Sequence, residues 1–495
     1  MKIKKILIAN RGEIALRVIK TARVLGIKTV ALYADDDRSL PHVWQADEAI
    51  ALGSGELKDT YLNQEKILRA AQATHADAIH PGYGFLSENA LFCEAVEKAG
   101  LIFIGPTARA IRLMGDKIGS KIEAQKYHVP LIPGYHGDDQ SPERLLKEAQ
   151  AIGFPVLIKA SAGGGGKGMR IVHAEAEFLA ALNGAKSEAK KAFGNDAVLV
   201  EKYITQPRHI EVQVMSDTHG QHFHFFEREC SIQRRYQKVI EETPAPGLSA
   251  KTRQDICETA VRIARGIDYR GAGTVEFVMA ADESFYFLEM NTRLQVEHPI
   301  TELVTGVDLV ALQIRVAAGE KLALNQQQIF QRGHAIELRI CAEDPDKGFL
   351  PTVGKIQHIG FPTGHGVRLD CGYVDGAEVG VNYDPMLAKL IAWGTDRSDA
   401  IARVYQALDE VRFVGITSNR DYLRRLLCHP KFQAGRTHTH FIPDHAEELK
   451  PRQVSAAAKA LAIAGHILTN KASSSVASQG SSGVTPWTQI GGARL

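Results

Sequence analysis

Three residues near the middle of the chain, Glu276, Glu289 and Asn291, have the types and spacing to hold a divalent cation. Thr274 to Val278 and Phe285 to Met290 read as two antiparallel strands joined by a tight turn at Asp282-Glu283, a register that sets Glu276 opposite Glu289. Side chains alternate at period two, so Asn291 shares the face of Glu289. Two carboxylates roughly 5 Å apart at Cβ repel one another unless a cation lies between them. Oxygen-only ligands suit a hard ion such as Mg²⁺ that must also hold nucleotide phosphates. If the strand continues, Arg293 and Gln295 point into the same space. The plainer reading is a solvated face carrying unrelated charges. The apolar residues Phe277, Val278, Phe287 and Leu288 weigh against it, because they suggest a strand buried on its other side.

A second chemical feature lies upstream. Gly163-Gly-Gly-Gly-Lys-Gly168 follows a strand that ends in Lys159 and precedes another strand. Consecutive glycines let backbone N–H groups approach phosphate oxygens and form an anion-binding concavity. The loop is not a Walker A motif, because Ser161 stands where the first glycine is required and Lys167 is followed by Gly168. With a metal cluster downstream, it reads as a lid over a nucleotide. Cys230 has no demonstrated base partner and reads as a small buried residue. Phe285, Tyr286 and Phe287 read as core and turn packing.

These residues need elements to hold them. Lys5 to Ala9 is a short apolar run, followed by a helical pattern through Ile14, Val18, Ile19 and Ala22 to Gly26. Strand, turn and helix recur at Thr29 to Tyr33 and near Ala78 to His80, which indicates a parallel doubly wound sheet. The first turn lacks G-x-G-x-x-G, so dinucleotide binding is not supported. Pro155 to Ala160 and Met169 to Val172 read as a hairpin around the glycine loop, and Glu211 to Val214 and Phe223 to Phe226 as further strands. From His334 to about Phe441, short strands and glycine turns predict a mixed-sheet domain. Ser455 to Leu468 reads as an alanine-rich helix, Lys471 to Gly483 as a linker, and Thr485-Pro-Trp487 as the start of a further domain cut short.

The chain has 495 residues, too many for one core, which favours three or more domains or subdomains. Its 59 basic and 57 acidic residues nearly cancel, so overall charge argues for neither a nucleic-acid nor a membrane partner. Six dispersed cysteines without a C-x-x-C pair fit neither a disulfide framework nor a structural zinc site, and imply a reducing compartment. The N-terminus resembles no signal peptide, and no apolar run reaches membrane-spanning length. The expectation is a cytoplasmic protein, although a matrix protein without its transit peptide would look the same.

Over nearly all of Lys5 to Phe441 the sequence resembles biotin carboxylase, a member of the ATP-grasp superfamily. The motifs that carry the resemblance are Asn10-Arg-Gly-Glu-Ile-Ala15, His80-Pro-Gly-Tyr-Gly-Phe-Leu-Ser-Glu-Asn89, Lys159 with Gly163 to Gly168, Glu229-Cys-Ser-Ile-Gln-Arg-Arg235, Glu289-Met-Asn-Thr-Arg-Leu-Gln-Val-Glu-His298 and Ala342-Glu-Asp-Pro345. The resemblance implies an α/β protein with an N-terminal doubly wound domain (1–114), an ATP-grasp domain (115–321, lid about 132–203) and a C-terminal mixed-sheet domain (322–446). Residues 447–495 would then hold a helix, a linker and the beginning of a truncated domain.

Its implied chemistry is carboxylation of biotin with MgATP (or MnATP) and bicarbonate. The resemblance makes Lys117, Lys159, Glu201, Lys202, His209, Tyr236, Glu276 and Glu289 ATP contacts, with Gly165 and Gly166 over the phosphates. Glu276, Glu289 and Asn291 become the metal ligands. Lys238, Arg293, Gln295 and Val296 become the bicarbonate site, and Glu297 the base. Arg339 stabilises the biotin enolate, and Tyr83 lies in the loop that approaches biotin. Many relatives carry histidine where this chain has Tyr236; either ring can stack or hydrogen-bond.

No Ala-Met-Lys-Met acceptor motif is present, so biotin arrives on another segment or chain. Asn382 to Met386, Cys341 to Leu350 and the Thr485-Pro-Trp487 tail resemble acyl-CoA carboxylase α subunits of the methylcrotonyl-CoA type. This implies a biotin carrier domain, a carboxyltransferase subunit and a homodimer. Two other readings remain open: an ATP-grasp ligase with an amine acceptor, and a non-catalytic nucleotide-binding module.

Overall fold

The computed structural model describes residues 3–135, 137–161, 169–451, 461 and 464. The chain divides into two compact units, Met1–Leu449 and Lys450–Leu495. The glycine loop with Gly165 and Gly166, the Lys471 to Gly483 linker and the Thr485-Pro-Trp487 tail lie outside the described residues. Of the expected helix over Ser455 to Leu468, only Leu461 and Ala464 are described, and both are helical.

In the first unit, strands β1 (Lys5–Ile8), β2 (Lys28–Ala34), β3 (Glu48–Gly53), β4 (Ala78–His80) and β5 (Ile102–Phe103) form an all-parallel sheet in the order β3-β2-β1-β4-β5. Ile6, Leu7 and Ile8 are all fully buried, the mark of a strand covered on both faces. Helix α1 (Gly12–Val24) covers one face with Ile14, Val18 and Ile19, at the i, i+4, i+5 spacing of one helical face. This is the parallel doubly wound arrangement expected from the sequence.

A four-stranded sheet follows: β6 (Gly134–Tyr135), β7 (Val156–Ala160), β8 (Arg170–Val172) and β9 (Val198–Lys202), ordered β6-β9-β7-β8. The hairpin read around the glycine loop is present, with Val156 opposite Val172. Leu145, Phe178 and Leu182 from the flanking helices pack onto Val156, Ile158, Val198 and Val200.

The third sheet carries most of the residues singled out above. Its strands are β10 (Arg208–Ser216), β11 (His222–Arg234), β12 (Gln237–Thr243), β13 (Gly271–Met279), β14 (Phe285–Asn291), β15 (His334–Cys341), β16 (Val367–Cys371) and β17 (Met386–Gly394). The antiparallel order is β14-β13-β10-β11-β12-β15-β17-β16, so the C-terminal strands extend the central sheet. One face is apolar, where Ile240, Leu338, Ile340 and Leu390 join a single core. The other is lined with charge.

Two bulges set which residues reach the charged face. The turn expected at Asp282-Glu283 is instead a three-residue loop closed by Ala280 and Ser284, with N–H to O at 2.8 Å and Glu283 at φ +64°. That shifts the register by one, so Phe277 faces Phe287. Leu288 is then an extra residue that restores it, and Glu276 faces Glu289 as read from the sequence. On β12, pairing passes from Gln233–Lys238 to Ile232–Ile240, leaving Val239 over. Lys238 thereby shares a face with Glu241 rather than with buried Ile240.

Candidate active site

Across four adjacent strands the charged face presents one row: Glu289 opposite Glu276, Glu276 opposite Glu211, and Glu211 opposite Arg228. Glu211 and Arg228 are fully buried and Glu276 nearly so. Bare carboxylates at such depth are costly unless paired. Arg228 meets Glu211 at 2.6 Å through Nε, and its remaining nitrogens donate to Gln213, Thr301 and Thr274.

Lys238 is the hub. Its ammonium donates to Glu276 at 2.9 Å, to Glu297 at 2.7 Å and to Glu211. Burial alone would favour the neutral amine, but those three carboxylates hold the ammonium well above its ordinary pKa. Glu297 stands at the N-cap of the helix His298–Thr305, where backbone N–H groups favour negative charge. Burial would raise its pKa, yet Lys238, Arg339 and Arg228 hold it well below the carboxylate range. Arg339 bridges Glu297 (Nη2, 2.9 Å) and Glu241 (Nε, 2.6 Å).

Glu276 Oε1 accepts from Lys238, from Asn291 Nδ2 at 2.9 Å and from Gln295 Nε2 at 3.2 Å, while Oε2 lies 3.1 Å from His209 Nε2. Glu276, Glu289 and Asn291 make an all-oxygen donor set on two adjacent strands beside the cleft, which fits a hard divalent cation. Strand β14 ends at Asn291, but Arg293 still reaches the same space, donating to Asn291 Oδ1 at 3.0 Å and Gln295 Oε1 at 2.9 Å; its Nε meets Glu88 at 2.8 Å.

A cleft of about 500 Å³ opens onto this face, lined by Tyr83, His209, Lys238, Glu276, Arg293 and Arg339 among others. The β4 loop delivers Tyr83. Gly82 takes φ +66°, and a Cβ there would lie 2.9 Å from Asn10 Nδ2, which holds the loop through the Pro81 and Tyr83 carbonyls. The Tyr83 hydroxyl donates to Glu13, Glu13 lies 3.1 Å from Lys389, and fully buried Lys389 donates to the Val296 carbonyl at 2.9 Å.

The nucleotide candidates are distributed differently. Lys159 and Lys121 both meet Glu201, whose carboxyl, though buried, is held down to about 2 by the two lysines. The Lys202 ammonium instead binds the Gly153 and Phe154 carbonyls at 2.8 and 3.2 Å, tying β9 to the start of β7. Tyr236, two-thirds exposed at φ +66°, lines the cleft with its hydroxyl 4.0 Å from Met169 Sδ. Lys117 begins the helix Lys117–Lys126, and its side chain is outside the described set. Cys230 is fully buried, which pushes its thiol well above the usual range and accords with the reading of it as a small buried residue, and all six cysteines are free.

Sequence reasoning missed Glu211, Arg228, Glu241, Glu337, Glu13 and Lys389. For all of these but Glu13, which lies on α1, the available signal was period-two charge in otherwise apolar strands, as in His334-Ala-Ile-Glu-Leu-Arg-Ile-Cys341, where Glu337 and Arg339 share one face.

Three family models match: "Biotin carboxylase, N-terminal domain" over residues 2–111, "Carbamoyl-phosphate synthase L chain, ATP binding domain" over 116–325 and "Biotin carboxylase C-terminal domain" over 337–444. Mouse mitochondrial methylcrotonoyl-CoA carboxylase subunit alpha is 51% identical over 95% of this chain, which spans 66% of that protein's length. Biotin carboxylase of Pseudomonas aeruginosa is 48% identical over 89% of this chain and 98% of its own. Among solved structures, a biotin carboxylase complex from Campylobacter jejuni superposes with a TM-score of 0.85 at 45% identity, covering 90% of this chain and 99% of that one. The biotin carboxylase domain of Hydrogenobacter thermophilus 2-oxoglutarate carboxylase, in complex with MgADP and bicarbonate, gives 0.85 at 44% identity, covering 92% and 100%. No helix among the described residues is long and apolar enough to cross a membrane.

Proposed function

This chain belongs to the biotin carboxylase family, and from that premise we propose that its cleft makes carboxyphosphate from ATP and bicarbonate and passes the carboxyl group to N1′ of biotin on a carrier domain. It is an ATP-dependent ligase that uses ATP, Mg²⁺ and biotin. The observation that carries the reading of the site is the placement of Glu297, buried between Lys238 and Arg339, both of which line the cleft.

Bicarbonate is a poor nucleophile and the γ-phosphate repels it. Lys238, Arg293 and the Gln295–Val296 segment neutralise and orient the anion, and Glu297 accepts its proton as the bicarbonate oxygen bonds to the γ-phosphorus and ADP leaves. In the substrate-free protein Lys238 and Arg339 suppress the basicity of Glu297. When substrate anions engage these cations, their hold on Glu297 weakens and its affinity for a proton rises. Glu276, Glu289 and Asn291 would hold Mg²⁺, which when bound would supply positive charge to neutralise the phosphate oxygens. Carboxyphosphate breaks down to CO₂ and phosphate. Phosphate takes the ureido N–H proton, Arg339 holds the enolate oxygen, Tyr83 lies at the biotin approach, and N1′ attacks CO₂.

For the nucleotide we assign Lys117, Lys159, Glu201, Lys202, His209 and Tyr236, with the loop containing Gly165 and Gly166 as its lid. The domain division at about residues 114 and 321 is in keeping with the limits of the three family models. Relatives named as carboxylase subunits support reading this chain as one. We further propose an acyl-CoA carboxylase of the methylcrotonyl-CoA type in the cytoplasm, acting as a homodimer with a carrier domain and a carboxyltransferase subunit.

The test is ATP cleavage with bicarbonate and Mg²⁺, with and without free biotin. Biotin should accelerate turnover and Glu297→Gln should lower it. A biotin-indifferent rate that Glu297→Gln leaves unchanged overturns the reading.

A further inference from the structure

The geometry points to a positioning device behind Arg339: Glu241 and Glu337, which no step above uses, share one proton across neighbouring strands, and the single charge left on the pair fixes Arg339 for biotin. The inference rests on the role given to Arg339 above. Glu241 Oε1 accepts from Arg339 Nε at 2.6 Å, Glu297 Oε2 accepts from Nη2 at 2.9 Å, and Nη1 has no partner among the described residues. Arg339 also lines the cleft. The guanidinium is thus pinned at two nitrogens and keeps its third for a substrate oxygen.

Glu337 lies directly opposite Glu241 in the β12–β15 register, two residues from Arg339 and on its face of the sheet. Cross-strand neighbours of this kind have Cβ atoms about 5 Å apart. Both glutamates are fully buried. Both oxygens of Glu337, and Glu241 Oε2, lack a hydrogen-bond partner. Two ionised carboxylates in that state would strand charge and lone pairs together. A proton on Glu337 turns it into a donor for the spare oxygen of Glu241 and resolves both problems.

The surrounding charges agree. Lys238 comes from β12, Cys230 from β11, Arg339 from β15, Lys389 from β17, and Glu297 from the segment after β14. Lys238 is already shared by three carboxylates, and Lys389 is held by Glu13 and the Val296 carbonyl. Burial keeps Glu337 well above the ordinary carboxyl range against the opposing charge of Lys389, with the charge of Glu241 adding to the rise, and Glu241 itself is pushed up to about 7, by burial first. When Glu241 takes a proton as well, Arg339 is left to Glu297 and pairs with the base instead of substrate.

The proton is read without turnover. In an infrared difference spectrum at about pH 8, the unmodified chain should show a carboxylic-acid carbonyl band that Glu337→Gln lacks. In Glu241→Gln the band should shift, because its acceptor becomes an amide oxygen; this second variant carries the test if Glu337→Gln does not fold. A spectrum with neither the loss nor the shift overturns the shared proton. Positioning is read kinetically. Glu241→Gln should lower kcat for biotin-stimulated ATP cleavage on the order of tenfold or more and flatten the acidic limb of its pH profile near 7, with KM for ATP moving by less than about threefold. Glu241→Asp should recover part of kcat. If the unmodified chain is biotin-stimulated and Glu241→Gln matches it, or changes kcat only alongside KM for ATP, the positioning role is wrong. If the unmodified chain shows no biotin stimulation, the functional reading falls and the positioning role with it.

Discussion

Lys238 and Glu297 meet at 2.7 Å, and the same ammonium lies 2.9 Å from Glu276. One cation therefore joins the proposed base to the proposed metal carboxylate. Before substrate binds, the site pairs its charges internally: the three cations Lys238, Arg228 and Arg339 are shared among the four carboxyl groups of Glu211, Glu276, Glu297 and Glu241.

That sharing makes Lys238 a stability residue as well as a catalytic one. Lys238→Met removes the shared partner from three buried carboxylates, a loss on the order of 3–5 kcal/mol when a buried pair is broken. Tm of the substrate-free variant should drop by several degrees, and lowering the pH toward 5 should recover part of it by protonating the stranded acids. An unchanged Tm would contradict the shared-cation arrangement.

Glu289 and Asn291 should matter through the metal. Glu289→Gln keeps the shape and removes one negative charge from the oxygen donor set, so half-maximal ATP cleavage should need about tenfold more Mg²⁺ while the fold is retained. Titrating Mg²⁺ at saturating ATP checks this, and an unaltered Mg²⁺ requirement removes Glu289 from the metal site.

The sequence-level expectation that Glu276 faces Glu289 was correct for an incomplete reason. A period-two strand with a tight turn gives the pairing directly; the chain reaches it through a longer turn and a compensating bulge at Leu288. Neither feature leaves a local sequence mark, since Glu283 in the left-handed region is a conformation that propensity assigns to glycine or asparagine. The Val239 bulge is equally silent, although Lys238 could not face the site without it. The parallel sheet was legible because a strand buried on both faces is a continuous apolar run. The pairing of Glu241 with Glu337 was not, because nothing in one strand tells which acid the neighbouring strand will set beside it.

Tyr83 and Glu13 give a separable test at the biotin end. Tyr83→Phe removes a donor to the buried Glu13 carboxyl, which costs about 1.5–3 kcal/mol for a hydrogen bond to a charged group. The expected kinetic result is a higher KM for free biotin with KM for ATP unchanged, measured in the same assay. A change confined to ATP would contradict the placement of Tyr83 at the biotin approach.

Buried histidines, His42 and His80 among them, set an acid-side stability window. Burial lowers both His42 and His80 to about 4, so the folded protein keeps them neutral, whereas the unfolded chain protonates them near 6.5. Their contribution is complete above about 6.5 and declines as pH falls through the window down to about 4, by roughly 3 kcal/mol each. Urea unfolding should therefore show a lower midpoint at pH 5 than at pH 7.5, and His42→Phe should flatten that dependence. A midpoint independent of pH would contradict the neutral assignment.

The central claim is that a bicarbonate oxygen becomes bonded to the γ-phosphorus of ATP. Turnover with oxygen-18 bicarbonate in unlabelled water, stopped early and read by mass spectrometry of the released phosphate, tests it directly. Label should appear in the phosphate, because carboxyphosphate breaks down with the bridging bicarbonate oxygen retained on phosphorus. Phosphate that carries no label, formed at the same biotin-stimulated rate, would mean that water attacks the nucleotide and that Glu297, Lys238 and Arg293 do not assemble a carboxyphosphate site.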